Sequence, residues 1–300
     1  MNNRIITCIL SATLLTACNM HQNPLLTESP LPYGAPQFDK IQNSDYMPAF
    51  EEAFRQGKQE IDAIVANPDA PTFQNTIEAL EFSGSLVNKV GSIFYNLLEA
   101  DAIPELQEIA EQVSPMATEY SMYISLNEGL FQRIKTVYNQ RESLKLDPDQ
   151  KKLLEDTYKS FERSGANLSP EDKKTYSEIS EKLSLLTLQF QKNQLSSTNN
   201  FQMVLTDDKD LAGLPGYIKD MAAQAAKDKE VEGWLFDLSA PSYGGFMKFS
   251  DRRDLREKLY RAYNRRAFGD KWDNTETIRQ IVDLRYTHPP IPIRRVSIGH

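Results

Sequence analysis

The sequence predicts a mostly α-helical protein with one small β element. Apolar residues recur three and four positions apart through most of residues 45 to 285, and several of those segments open on helix-start signals. Strict two-residue alternation, the mark of a half-buried strand, shows only in short runs between residues 201 and 249.

From Ser44 the pattern turns helical. Tyr46, Phe50, Phe54, Ile61 and Ile64 share one side, and Asn67-Pro68 closes the segment. Phe73, Ile77 and Leu80 form the next apolar face, which Leu86, Val90, Ile93 and Leu97 continue past Gly84. Pro104 suits the first turn of a helix carrying Leu106, Ile109, Val113, Tyr120 and Ile124. Leu130, Ile134 and Val137 mark a shorter one. Asp147-Pro148-Asp149-Gln150 supplies an N-cap, a first-turn proline and a Gln able to complete a capping box ahead of Leu154, Tyr158 and Phe161. Ser169-Pro170 opens the longest helix, predicted to reach about Ser196. Its seam of Tyr176, Ile179, Leu183, Leu186 and Phe190 suits packing inside the chain's own bundle, with a dimer contact as the alternative.

The period then changes. Phe201 to Leu205 reads as a strand, a helix is expected from about Pro215 to Asp228, and Trp234 to Leu238 and Phe246 to Phe249 read as two strands joined by a tight reversal at Gly244-Gly245. Ser250 is expected to cap a helix bearing Leu255, Leu259 and Tyr263. Asp273-Asn274-Thr275-Glu276 reads as a capping box before Ile278, Ile281 and Val282.

The chain has 300 residues and a formal charge of -8, an acidic balance that disfavours a nucleic-acid partner. The basic run from Arg252 to Arg266, interleaved with Tyr260 and Tyr263, is read as a solvated helix face. Asp254 stands four before Lys258 and Glu257 four before Arg261, the spacing of intrahelical ion pairs.

The N-terminus is a targeting signal by pattern. Arg4 precedes an apolar run from Ile5 to Ala17, too short for a permanent bilayer span, and Leu15-Thr16-Ala17-Cys18 resembles a bacterial lipobox. Residues 1–17 are therefore expected to be a lipoprotein signal peptide, with Cys18 as the lipid attachment site; an ordinary secretory signal containing Cys is the alternative. Residues 18–44, with Pro24, Pro30, Pro32 and Pro36, are read as the lipidated Cys and an extended tether. The expected location is the bacterial cell envelope, anchored to the membrane through lipid and facing the periplasm. With Cys8 removed alongside the signal, no disulfide is expected.

Hydrolytic and phosphate-binding motifs are missing from the sequence. There is no Gly-x-Ser-x-Gly elbow, Gly244-Gly245 lacks the Lys-Ser/Thr continuation of a phosphate loop, and 42 carboxylates make any chosen pair uninformative. A helical zinc site needs two His one turn apart with a Glu between them. The histidines are His21, His288 and His300, so the sequence contains no such pair, and no catalytic or metal residue is assigned.

The stretch from Gly233 to Arg266, beginning Gly-Trp-Leu-Phe-Asp-Leu-Ser-Ala-Pro-Ser-Tyr-Gly-Gly-Phe-Met, resembles a hallmark segment of the M3 zinc metallopeptidases. Asn23-Pro24-Leu25-Leu26, Ala35-Pro36-Gln37-Phe38-Asp39, Asp45-Tyr46-Met47-Pro48-Ala49-Phe50, Pro71-Thr72-Phe73-Gln74-Asn75-Thr76 and Asp210-Leu211-Ala212-Gly213-Leu214-Pro215 extend the likeness, which is greatest to the bacterial peptidyl-dipeptidases, or dipeptidyl carboxypeptidases. The resemblance implies that residues 45–285 form the multi-helix N-terminal lobe of a two-lobed fold, with a small β-hairpin element around 201–249. It further implies an enzyme that cleaves short peptides in a channel between its lobes and releases C-terminal dipeptides. Zn belongs to the full-length family enzyme, on a His-Glu-x-x-His helix beyond these residues, and none is expected bound by this chain.

After Arg285 the likeness stops, and Pro289, Pro290 and Pro292 break the helix. Residues 286–300 are expected to be an aberrant tail left by a frameshift, in the gene or the sequencing, or by a truncation. On this reading the chain is inactive alone, and apolar faces meant for the second lobe prompt self-association. The alternative is a non-catalytic helical lipoprotein that binds peptides or an envelope protein.

Overall fold

The structure, a computed structural model, describes residues 22–286. It is mostly helical with one two-stranded antiparallel element, as the sequence predicts. The main helices are α1 (Asn43–Ala66), α2 (Ala79–Glu81), α3 (Ser85–Ala100), α4 (Pro104–Ser125), α5 (Glu128–Asn139), α6 (Pro148–Arg163) and α7 (Pro170–Asn200). They are followed by α8 (Gly216–Asp228), α9 (Ala240–Phe249), α10 (Arg253–Asn264) and α11 (Thr275–Tyr286), with strands β1 (Met203–Leu205) and β2 (Trp234–Phe236) on either side of α8.

One helix serves two cores. The first half of α1 buries Tyr46, Phe50 and Phe54 against Val90 and Phe94 of α3 and Leu106 and Val113 of α4. Its second half carries Ile61 and Ile64 into a separate cluster with Phe73, Ile77, Leu130, Phe131, Ile134 and Leu154. The spacing of these residues keeps both halves on one side of a 24-residue helix, so α1 fixes the two clusters relative to each other. The segment before it is docked as well: Leu25 is fully buried in the first cluster, the Asn23 side-chain amide donates to the Asp45 carbonyl at 2.8 Å, and the Lys89 ammonium donates to the Thr27 carbonyl at 2.7 Å.

The short stretch Phe73–Glu78 winds as a π-helix ahead of α2, a variation that its apolar spacing does not announce. Arg133 of α5, almost fully buried, ties the loop before it in place. Its guanidinium donates to the carbonyls of Asn67 (2.9 Å) and Asp69 (3.3 Å) and to the side-chain oxygen of Asn75 (3.1 Å).

The third cluster is built by β1, β2, α8, α9 and α10 around Met203, Leu205, Ile218, Phe236, Phe246 and Leu259. Met203 pairs with Phe236, Val204 with Leu235 and Leu205 with Trp234. The long helix α7 leads to it, packing along α4 and α11 inside the chain; Ile179 of its seam is buried and Tyr176, Leu183, Leu186 and Phe190 are half-buried.

The structure overturns four local expectations. Residues 246–249 are the last turn of α9 rather than a strand, and β2 pairs instead with β1, nearly thirty residues upstream. Gly244 and Gly245 sit inside that helix and make no reversal; a Cβ on Gly245 would strike the Ile218 side chain, so the missing side chain lets α8 and α9 approach closely. Ser250 ends α9 instead of capping α10, whose N-cap is Arg252, although the Ser250 hydroxyl does accept from the Arg252 amide at 3.2 Å. At the start of α11, Asp273 accepts from the amide of Thr275 at 2.7 Å in a local turn, and Asn274 turns inward, donating to the Phe190 carbonyl of α7 at 3.0 Å. Packing thus replaces the expected capping box. By contrast, the box at Asp147 and Gln150 forms, with reciprocal bonds of 2.9 and 3.2 Å.

Candidate functional site

A cleft of about 670 Å³ opens where α4 meets α7. Two features of α4 shape it. Pro115 lies inside the helix, where it has no amide to give the ladder and its ring crowds the turn before it, and the α4 residues lining the cleft begin at this point. Beyond it, Met116, Met122 and Leu126 give the cleft an apolar floor.

Acidic and hydroxyl groups rim that floor. Glu119 and Tyr123 come from α4, Glu128 from the first turn of α5, and Ser177 and Glu181, one turn apart, from α7. Glu119 is paired with Lys58 of α1 at 2.6 Å, and the Lys58 ammonium also sits over the Tyr123 ring at 5.5 Å. The Tyr123 hydroxyl donates to Asp62, and that bond, helped by burial and the nearby charge, holds the phenol above its ordinary pKa. Across the cleft, the Lys173 ammonium donates to the Leu126 carbonyl at 3.2 Å and fixes the start of α7 to the end of α4. Three carboxylates therefore line the cleft, and Asp62, Lys58 and Lys173 bond to residues of its lining.

A second hollow of about 320 Å³ follows along the same pair of helices, lined by Ala110 and Ser114 of α4, by Leu183, Ser184, Thr187, Leu188 and Gln191 of α7, and by Tyr95 of α3. Positions 110, 114, 118 and 122 form one stripe of α4, and 177, 181, 184, 188 and 191 one stripe of α7. The two hollows are thus successive stretches of the α4–α7 seam. From Ala110 to Leu126 that seam measures about 24 Å at the helical rise, the span of about seven residues of extended peptide.

The sequence-assigned lipid attachment residue, Cys18, lies outside the described residues, as do His21, His288 and His300. Among the described residues none is His or Cys, and no three His, Cys, Asp or Glu side chains come together as metal ligands. These residues do not fit a zinc centre. No described helix is long and apolar enough to cross a membrane. Two members of the basic run from Arg252 to Arg266 are held in ion pairs: Arg261 binds Glu257 at 2.7 Å, and Arg252 holds both Asp210 and Asp254, which draws Asp254 to Arg252 rather than to the expected Lys258. Arg266 stacks on Tyr263 at 3.7 Å.

No protein-family model matches the chain. Individual proteins do. It is 36% identical over 268 residues to the dipeptidyl carboxypeptidase of Salmonella typhimurium and 37% identical over 265 residues to that of Escherichia coli. Oligopeptidase A of E. coli is 33% identical over 269 residues. The chain is homologous to the M3-family peptidases. That homology takes in 88 to 89% of the chain and 39% of each of these three relatives, so the chain spans about two-fifths of their length. Against this family background the α4–α7 seam is a surface made by M3-homologous sequence, and its rim residues carried no signal of their own. Glu119, Glu128 and Glu181 are three among 42 acidic side chains, and only the packing of α4, α5 and α7 gathers them.

Proposed function

We propose that this chain is the N-terminal, non-catalytic part of a lipid-anchored zinc peptidase of the dipeptidyl carboxypeptidase type, and that its helices form one wall of the channel that takes short peptides. The observation that carries this reading is the identity of 36 to 37% to two dipeptidyl carboxypeptidases across nearly the whole chain. On this reading, the zinc and the groups that activate water reside in the part of those relatives that the chain does not span. The described residues contribute shape, apolar contacts and charge.

Dipeptide release tests the division of labour. The purified chain, incubated with a short peptide in the presence of zinc, is expected to leave the peptide intact by mass spectrometry. Zinc-dependent appearance of a C-terminal dipeptide, abolished by a chelator, contradicts it.

The envelope assignment rests on Leu15-Thr16-Ala17-Cys18. In a bacterial host, radiolabelled fatty acid is expected to enter the protein, and Cys18→Ser is expected to abolish that label and shift the protein from the membrane to the soluble fraction. Equal labelling of wild type and Cys18→Ser rejects the anchor.

The second reading is a helical lipoprotein that acts by binding, and an exposed apolar stripe suits it as well as the first. Ile278, Val282 and Tyr286 are 46, 54 and 83% exposed along a single stripe of α11. Such a stripe supports burial against a further surface, whether the rest of an M3 peptidase, an envelope protein or a second copy of this chain.

A further inference from the structure

We propose that the α4–α7 cleft selects peptides carrying basic side chains next to apolar ones. The proposal rests on the peptide-channel reading above and adds a substrate class to it. Its floor and its rim point to different parts of the same ligand. Met116 and Met122, unbranched and polarisable, accommodate apolar side chains of varied shape. Around them stand Asp62, Glu119, Glu128 and Glu181, against the ammonium groups of Lys58 and Lys173.

The distribution of that charge decides the sign of the ligand. Lys58 is committed to Glu119, Asp62 to the Tyr123 hydroxyl, and Lys173 to the Leu126 carbonyl. Glu128 and Glu181 are exposed and both line the cleft, one from α5 and one from α7. A Lys or Arg side chain entering between them lays its methylene stem on the methionine floor and keeps its charged head at the rim, the ordinary habit of these amphipathic side chains. An acidic side chain entering there meets an excess of carboxylates over ammonium groups. The volume of about 670 Å³ falls within the range common for ligand clefts, and the cleft is open to solvent with a second hollow further along the same helix pair, which suits an extended segment rather than an enclosed small molecule.

The test uses two dye-labelled nonapeptides of identical apolar frame, one with a central Lys-Leu-Lys and the other with Glu-Leu-Glu, and measures their binding to the whole chain by fluorescence anisotropy. The basic peptide is expected to bind about tenfold more tightly, with the gap narrowing as salt rises. Glu128→Gln combined with Glu181→Gln is expected to remove most of that preference, whereas the same charge change at Glu142 and Glu155, away from the cleft, retains it. Glu128, Glu181 and Glu142 are exposed and Glu155 is half-buried, and circular dichroism checks that each variant keeps the fold. If the two peptides bind equally, or if the cleft variant keeps the full preference, the charge selection is wrong while the peptide-wall reading stands. If neither peptide binds, the peptide-wall reading falls with it.

Discussion

Phe94→Ala is expected to lower the free energy of unfolding by about 4 kcal/mol. Phe94 is completely buried at the point where α3 meets α1, with its ring edge-on to Tyr46 at 5.1 Å and to Phe50 at 5.4 Å. Truncation there removes the transfer energy of an aromatic side chain, deletes both ring contacts and leaves a cavity between two helices. Little relief is at hand, because Tyr46 and Phe50 lie one turn apart on a helix whose far half is fixed in the second cluster. Urea denaturation followed by circular dichroism measures the change. A loss below about 1 kcal/mol contradicts the packing described for the first cluster.

Gly233→Ala is the second large effect, for a different reason. Gly233 has φ of +100°, a conformation that residues with a Cβ rarely adopt, and an added Cβ would collide with the carbonyl oxygen of Leu205 on β1. The colliding atom is backbone and cannot rotate away. Either β2 separates from β1 or the residue strains, and the expected cost is about 3 kcal/mol. Because Leu235 and Phe236 follow at once, separation also disturbs the third cluster. Hydrogen exchange at the β1 and β2 amides is expected to accelerate in the variant, and unchanged exchange together with unchanged stability contradicts the close approach.

Helices were largely legible because their evidence is local. Tyr46, Phe50, Phe54, Ile61 and Ile64 announce α1 through spacing alone, and Pro104, Asp147 and Ser169 mark starts that the structure keeps. Reading failed where the deciding contact is distant in sequence. Phe246 and Phe249, with Gly244-Gly245 ahead of them, are too few to separate a two-residue from a four-residue period, and the true reason for Gly245 is Ile218 on another helix. Asn274 likewise caps less than it anchors, through Phe190 and Asn193 of α7.

The candidate cleft belongs wholly to this second kind. Pro115 and the methionines look like ordinary helix contents, and nothing in the spacing of Glu119, Glu128 and Glu181 reveals that α4, α5 and α7 converge. What the sequence conveyed about function came instead from the ordered motifs shared with M3 peptidases and from the histidine inventory. With His21, His288 and His300 so far apart, a paired-imidazole motif is not written in these 300 residues.

The most direct test of the proposed scaffold role is therefore the zinc content of the purified 300-residue chain after dialysis against zinc and then against metal-free buffer, read by plasma mass spectrometry. The account predicts far less than one zinc per chain and no change in thermal stability on adding the metal. One tightly held zinc per chain, with a matching rise in stability, contradicts it.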